Sequence, residues 1–245
     1  MSCLKIGLPA KGRLRSAATD WLGRFGARVV PLGSERAYSG SVAGLNGIEP
    51  VFLPAGEIPG ELQQGRIHLG ITGQDLIREK LPFRQAHVDE ICALGFGHAD
   101  LVIAVPTCWT DVWTIDDLDE VAGQFRDLHG RPLRIATKYH NLVREFLAGH
   151  ELADYRLVDS QGATEATVRN LAAEVVADIT ATGQTLGANH LKVLDDGIVL
   201  SSQAALFACR RRPWTTAEKS ILETFGARAG FGVPESTGDS GQTGS

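Results

Sequence analysis

At 245 residues, 43% of them apolar, the chain is long enough for one or two domains with a real hydrophobic core. Charged residues at 22%, aromatics at 7% and a mean hydropathy near zero exclude a disordered, fibrous or membrane-spanning chain. A net charge of −5, with no basic run longer than Arg210-Arg211-Arg212, argues against nucleic acid as partner and leaves any anionic ligand to local donors.

In chain order, short apolar runs alternate with amphipathic stretches, which reads as α/β. Leu4 to Leu8 is a strand ended by Pro9. Leu14, Ala17, Ala18, Trp21, Leu22 and Phe25 then recur on one helical face, stopped near Gly26. Pro50 to Pro54 and Ile67 to Ile71 are strands, with a short helix from Ile58 to Gln64 between them. Ala86 to Pro106 holds two apolar runs broken by Gly95-Phe96-Gly97, either a hairpin or one strand crossing between lobes. The alternation restarts with strand Leu133 to Ala136, helix Asn141 to Ala148, strand Tyr155 to Val158, helix Thr164 to Ala172 and strand Val175 to Ile179. Ile198 to Cys209 resumes strand character, and Thr215-Thr216-Ala217-Glu218 is a capping box opening a last helix through Phe225. Two α/β lobes are expected, 1–96 with 196–231 and 97–195, a ligand cleft between them, and a disordered Gly/Ser/Thr-rich tail over 232–245.

Cys3, Cys92, Cys108 and Cys209 show no Cys-x-x-Cys pair, and the histidines no ligand spacing, so a disulfide framework and a structural transition metal are both unexpected. The N-terminus enters strand-like sequence with no charged leader, which points to the cytoplasm.

One stretch carries the most chemistry. From Glu174 a buried strand passes Asp178 and runs into Thr180-Ala181-Thr182-Gly183-Gln184-Thr185, with helix-like sequence beyond. Hydroxyls and backbone N–H groups gathered at a helix start suit a phosphate. Asp178 at the strand's end could accept from vicinal ribose hydroxyls, and Glu174, four residues earlier, falls on the same face. A strand, a polar turn and an N-cap is the plain alternative. Lys11-Gly12-Arg13 fills another strand-to-helix turn. Its cations either neutralise a phosphate or are surface charges, although cations at a helix start oppose the dipole.

The segment from Glu174 to Leu186 resembles the phosphoribosyl pyrophosphate (PRPP) loop of the ATP phosphoribosyltransferases. Other stretches match in the same order: Leu8 to Leu14, Leu69 to Asp75, Leu94 to Gly97 followed by Ala104-Val105-Pro106, Arg134 to Tyr139, and Ala188 to Leu191. The resemblance implies two lobes like those of type II periplasmic binding proteins. It also implies a Mg2+-dependent transfer of phosphoribosyl from PRPP to N1 of ATP, releasing pyrophosphate, as the first step of histidine biosynthesis. It assigns Thr180 to Thr185 to PRPP, with Thr182, Gly183 and Thr185 on the 5′-phosphate and Glu174 and Asp178 on the ribose hydroxyls. Lys11, Gly12, Arg13, Arg36, Thr72, Gly73 and Asp75 are assigned to ATP and the polyphosphates. Lys11, Arg13 and Asp178 are then the residues nearest the chemistry, and Mg2+ rides on substrate phosphates. An arginine common in the family is replaced by Pro54, so another group or a partner must take its role. The resemblance is to the short form, which implies a homodimer or larger, working with a regulatory subunit similar to histidyl-tRNA synthetase. The alternatives are a two-lobed solute-binding protein, or another phosphoribosyltransferase. The latter usually carry two adjacent acids before the loop, whereas Ile179 follows Asp178 here.

Overall fold

The computed structural model describes residues 3–31, 40–160, 164, 166–169 and 172–233. Arg36 and positions 234–245 of the expected tail lie outside the described residues. The chain opens with β1 (Leu4–Pro9) and α1 (Gly12–Arg24), then β2 (Arg28–Pro31), β3 (Gly40–Ala43) and β4 (Ile48–Leu53). Next come α2 (Ile58–Gln63), β5 (Leu69–Gly73), α3 (Gln74–Lys80) and, after a 3-10 turn, β6 (Val88–Ala93). It continues through β7 (Ala99–Pro106), α4 (Ile115–His129), β8 (Leu133–Thr137), α5 (His140–Gly149) and β9 (Tyr155–Asp159). The last elements are α6 (Ala166–Arg169), β10 (Val175–Thr180), α7 (Gln184–Ala188), β11 (Leu191–Ser202), β12 (Ala204–Cys209) and α8 (Thr216–Ala229).

Contacts divide these elements into two units, 1–97 with 203–245 and 98–202. The break at the glycine turn is thus a crossing, with β6 in one sheet and β7 in the other. The return comes at 202/203 and not near Asp195–Gly197, because β11 stays on β7 down to Ser202. The irregular stretch between Val193 and Ile198 is a shift of register inside that strand. Val233 packs against the first unit's core, so the chain stays attached beyond Gly232.

The first unit is a sheet ordered β4-β1-β5-β12-β6 with helices on both faces. β1 runs parallel to β4 and β5, and β12 antiparallel to β5 and β6. Side chains alternate across a strand, so Leu4, Ile6 and Leu8 meet Trp21 and Leu22 of α1 and Phe225 of α8. On the other face Ala205 and Phe207 meet Ile58 and Leu62 of α2 and Ile77 of α3. α8 starts in the expected capping box, with Thr215 accepting from the Glu218 N–H at 3.3 Å and Thr215 N donating to Glu218 Oε2 at 2.8 Å. The same carboxylate takes His68 Nε2 at 3.0 Å and Arg212 Nη2 at 3.2 Å, tying α8 to the start of β5. Lys5 N donates to His68 Nδ1 at 2.9 Å, which fixes the imidazole proton on Nε2, facing Glu218. Burial, aided by the Arg212 cation, pushes the His68 pKa down despite Glu218.

The second unit is a sheet ordered β11-β7-β10-β8-β9. β7 is antiparallel to β10 and β11, and β8 is parallel to β10 and β9. Leu101, Ile103, Val175 and Ala177 face α4 and α5. Val102, Ala104 and Val176 face the other way, under Leu186 of α7 and Val168 of α6. Among the described residues no helix is long and apolar enough to cross a membrane.

Candidate active site

In a parallel sheet the loops leaving the carboxyl ends of adjacent strands share one edge, which is where such folds bind ligands. In the first unit that edge gathers the turns after β4, β1 and β5. Gly12 has φ +77°, a left-handed backbone that glycine adopts freely and that lets the chain bend from β1 into α1. Ala10 is pinned on both sides: its N–H donates to Leu53 O at 2.7 Å and its carbonyl accepts Arg15 Nη1 at 3.0 Å. Arg15 also lies over the Phe52 ring, 4.8 Å from its centroid, so it packs and props the turn. Lys11 and Arg13 are exposed, and the first turn of α1 holds no acid to neutralise them. Two cations and the free N–H groups of a 13-residue helix's first turn thus share one electropositive place.

The neighbouring turn differs from its expected role. Thr72 is fully buried and its hydroxyl donates to Ala55 O at 3.0 Å, tying β5 to the turn after Pro54. The hydroxyl is spent on the fold, leaving only the turn's backbone for a ligand. Asp75 is buried against Gly73, where an added Cβ would meet its Oδ1 at 2.1 Å. Pro54 is exposed and its carbonyl accepts Glu57 N at 2.8 Å.

In the second unit the corresponding edge gathers the ends of β10, β8 and β9. β10 runs buried through Ala177 and emerges at Asp178, Ile179 and Thr180. Thr180 Oγ1 accepts Gly183 N at 2.8 Å, closing a tight hydroxyl turn, and Gly183 sits at φ +70° as the cap of α7. The Gly183 N–H is therefore engaged in shaping the loop. Thr182 and Thr185 remain exposed beside it. Thr182 Oγ1 accepts Gln184 N at 3.5 Å at the start of α7. Asp178 is half-buried, and its Oδ1 accepts Ile179 N at 2.9 Å. At the adjoining β8 end, Thr137 Oγ1 accepts Tyr139 N at 3.0 Å, and the Tyr139 ring packs into the α4/α5 core.

Glu174 corrects the sequence reading. It lies before β10, at the opposite end from the loop, about 13 Å of extended chain from Asp178. Its carboxylate accepts Arg134 Nη2 at 2.6 Å, Arg134 N at 2.8 Å and Arg131 Nη2 at 3.2 Å. Burial alone would raise its pKa, but these hydrogen bonds outweigh it and hold the group at about 2. Glu174 clamps β10 to β8 and is not a ribose ligand. A carboxylate with a depressed folded-state pKa stabilises above its unfolded pKa of about 4.5 and loses that contribution as pH falls toward 2. Glu174→Gln is expected to cost about 2 kcal/mol at neutral pH, allowing for solvent screening of the Arg131 contact. Denaturant melts of both proteins should converge as the pH is lowered through that window; a pH-independent gap would contradict it.

Strand register also raises a residue that no linear motif marks. Asp100, second in β7, lies directly opposite Thr180.

The sequence model of the ATP phosphoribosyltransferase family matches residues 54–226. The ATP phosphoribosyltransferase of Cereibacter sphaeroides is 59% identical over 232 residues, 95% of this chain and 98% of that one. That of a Bradyrhizobium species is 46% identical over 230 residues, 92% of this chain and 71% of the longer relative. Among solved structures, the ATP phosphoribosyl transferase (HisG:HisZ) complex of Thermotoga maritima gives a TM-score of 0.68 at 20% identity, covering 93% of this chain and 96% of that one. The alkanesulfonate-binding protein of Xanthomonas axonopodis gives 0.52 at 17% identity, covering 94% and 72%, so the periplasmic-binding-protein likeness is one of fold. The family model over most of the chain and sequence identity along nearly its whole length lead to one conclusion: the chain belongs to the ATP phosphoribosyltransferase family.

Proposed function

We propose that the edge at β10 holds PRPP and the edge at β1 holds polyphosphate in the family's reaction, the transfer of phosphoribosyl from PRPP to N1 of ATP. The observation that carries this reading is the hydroxyl turn closed by Thr180 on Gly183, which leaves Thr182, Thr185 and the start of α7 open to a 5′-phosphate. Asp178 takes a ribose hydroxyl. Lys11 and Arg13 take the phosphates of ATP and of departing pyrophosphate.

The adenine N1 is a neutral ring nitrogen with no proton to lose. Its lone pair forms the bond to ribose C1′ while the C1′–O bond breaks and its electron pair leaves on pyrophosphate. Positive charge develops on the ribose and negative charge on the leaving group, so the protein's task is positioning and electrostatic stabilisation. No general base is required. Among the described residues no group of three or more His, Cys, Asp or Glu gathers to hold a metal. The family resemblance supports Mg2+ carried on the substrates' phosphates, where it would neutralise charge on the leaving pyrophosphate.

The test is to incubate the purified chain with PRPP, Mg2+ and either ATP or other nucleobases. Phosphoribosyl-ATP formed with ATP alone supports the reading. Turnover with another base would favour a different phosphoribosyltransferase, and binding without turnover a solute-binding protein.

The resemblance to the short form supports a further assignment, a cytoplasmic homodimer or larger assembly completed by a regulatory subunit similar to histidyl-tRNA synthetase. Histidine alone is expected not to inhibit the chain. Added regulatory subunit is expected to confer inhibition with a coupling of about five- to 150-fold in affinity. Saturable histidine binding to the isolated chain, measured by calorimetry, would contradict this.

A further inference from the structure

In the antiparallel pair of β7 and β10, Asp178 lies opposite Val102 and Thr180 opposite Asp100. Val102 belongs to the cluster under Leu186 of α7, so Asp178, Thr180 and Asp100 share the face that α7 covers. Directly opposed side chains stand about 5 Å apart at Cβ and diagonal ones about 7 Å. The two carboxylates thus flank the Thr180 hydroxyl that shapes the phosphate turn. Both are half-buried. Among the described residues neither meets a cation. Asp178 accepts only from Ile179 N, and no hydrogen bond reaches the Asp100 carboxylate. Their remaining acceptor lone pairs suit a ligand that donates to both. Glu174 cannot be the second acceptor, because Arg131 and Arg134 occupy it.

We propose that Asp100 is a second ribose-binding carboxylate, accepting from one of the vicinal hydroxyls of PRPP while Asp178 accepts from the other. This rests on the reading of the loop from Thr180 to Thr185 as the PRPP phosphate seat. Asp100 lies about 80 residues before that loop in sequence and reaches it only through strand pairing.

The experiment measures calorimetric affinities of ribose 5-phosphate and its 2-deoxy and 3-deoxy analogues for the full chain, Asp100→Asn, Asp178→Asn and Thr182→Ala. Asp100→Asn is expected to lose about tenfold to a hundredfold on ribose 5-phosphate and to stop discriminating against one deoxy sugar. Asp178→Asn should do the same for the other. Thermal stability of Asp100→Asn should stay level, since the free protein loses no hydrogen bond or ion pair. Unchanged affinities for all three sugars, or an equal loss on all three, would overturn the proposal. Thr182→Ala reads the underlying assignment separately: an equal loss on all three sugars keeps the loop as the phosphate seat, whereas no loss removes that reading itself.

Discussion

Gly183→Val is expected to raise the KM for PRPP by about a hundredfold or more while the protein stays folded. The free structure has room for the side chain, because a Cβ at this position meets nothing within 4 Å. The cost to the fold is backbone strain alone, since φ +70° is a region a β-branched residue adopts at about 1–2 kcal/mol. The cost to binding is larger. The loop that relieves this strain breaks the bond from Gly183 N to Thr180 Oγ1 and disperses the donors around it. With PRPP seated as proposed, a side chain there would also block the phosphate's approach to the backbone. Steady-state kinetics with a thermal melt on the same sample separate the two effects. Gly183→Ala should lie between the variant and wild type. An unchanged KM for PRPP in both variants would remove the loop from the active site.

The largest effect on stability is expected far from the loop, at Glu218. Its side chain is 5% exposed and serves three donors at once: Thr215 N, His68 Nε2 and Arg212 Nη2. Burial alone would raise its pKa, but the Thr215 hydrogen bonds and the His68 contact outweigh it and keep the carboxylate ionised. Glu218→Ala removes half of a capping box, costing about 1 kcal/mol, and strands a buried imidazole N–H, costing about 1–3 kcal/mol more. A total of about 2–4 kcal/mol, large for one side chain, is the expected loss in urea denaturation. Glu218→Gln keeps the shape and one acceptor and should lose about half as much. A loss below about 1 kcal/mol for the alanine variant would mean that α8 is held by its apolar face alone.

The capping box could be read from the sequence because all its atoms lie within four residues, at Thr215 and Glu218. That His68 completes it could not, since the two residues are 150 apart and meet only through the packing of α8 on β5. The central strands of each sheet were legible as apolar runs because helices bury both of their faces. Helix α4 was not. Its buried stripe is only Ile115, Leu118 and Ala122, set among Asp116, Asp117, Asp119 and Glu120, which reads as a solvated segment. Its start is a second capping box, Thr114 with Asp117, and its end is Gly130.

The site divides the same way. The turns at Lys11–Arg13 and Thr180–Thr185 were visible because each is one continuous segment leaving a strand. Strand parity puts Glu174 and Asp178 on one face but carries neither their separation nor the contacts with Arg131 and Arg134. Thr72 reads as a ligand by type and position, yet its hydroxyl is committed to Ala55. Asp100 belongs to no phosphate-loop motif, and only the pairing of β7 with β10 reveals it.

We propose that the β10 edge seats the 5′-phosphate and the β1 edge seats polyphosphate. Calorimetric binding of ribose 5-phosphate and of pyrophosphate to Thr182→Ala and to a Lys11→Ala/Arg13→Ala double variant tests it most directly. Thr182→Ala should lose about tenfold to a hundredfold in affinity for ribose 5-phosphate and keep its affinity for pyrophosphate. The double variant should show the reverse. Both variants losing both ligands equally, or neither variant losing either, would contradict the account.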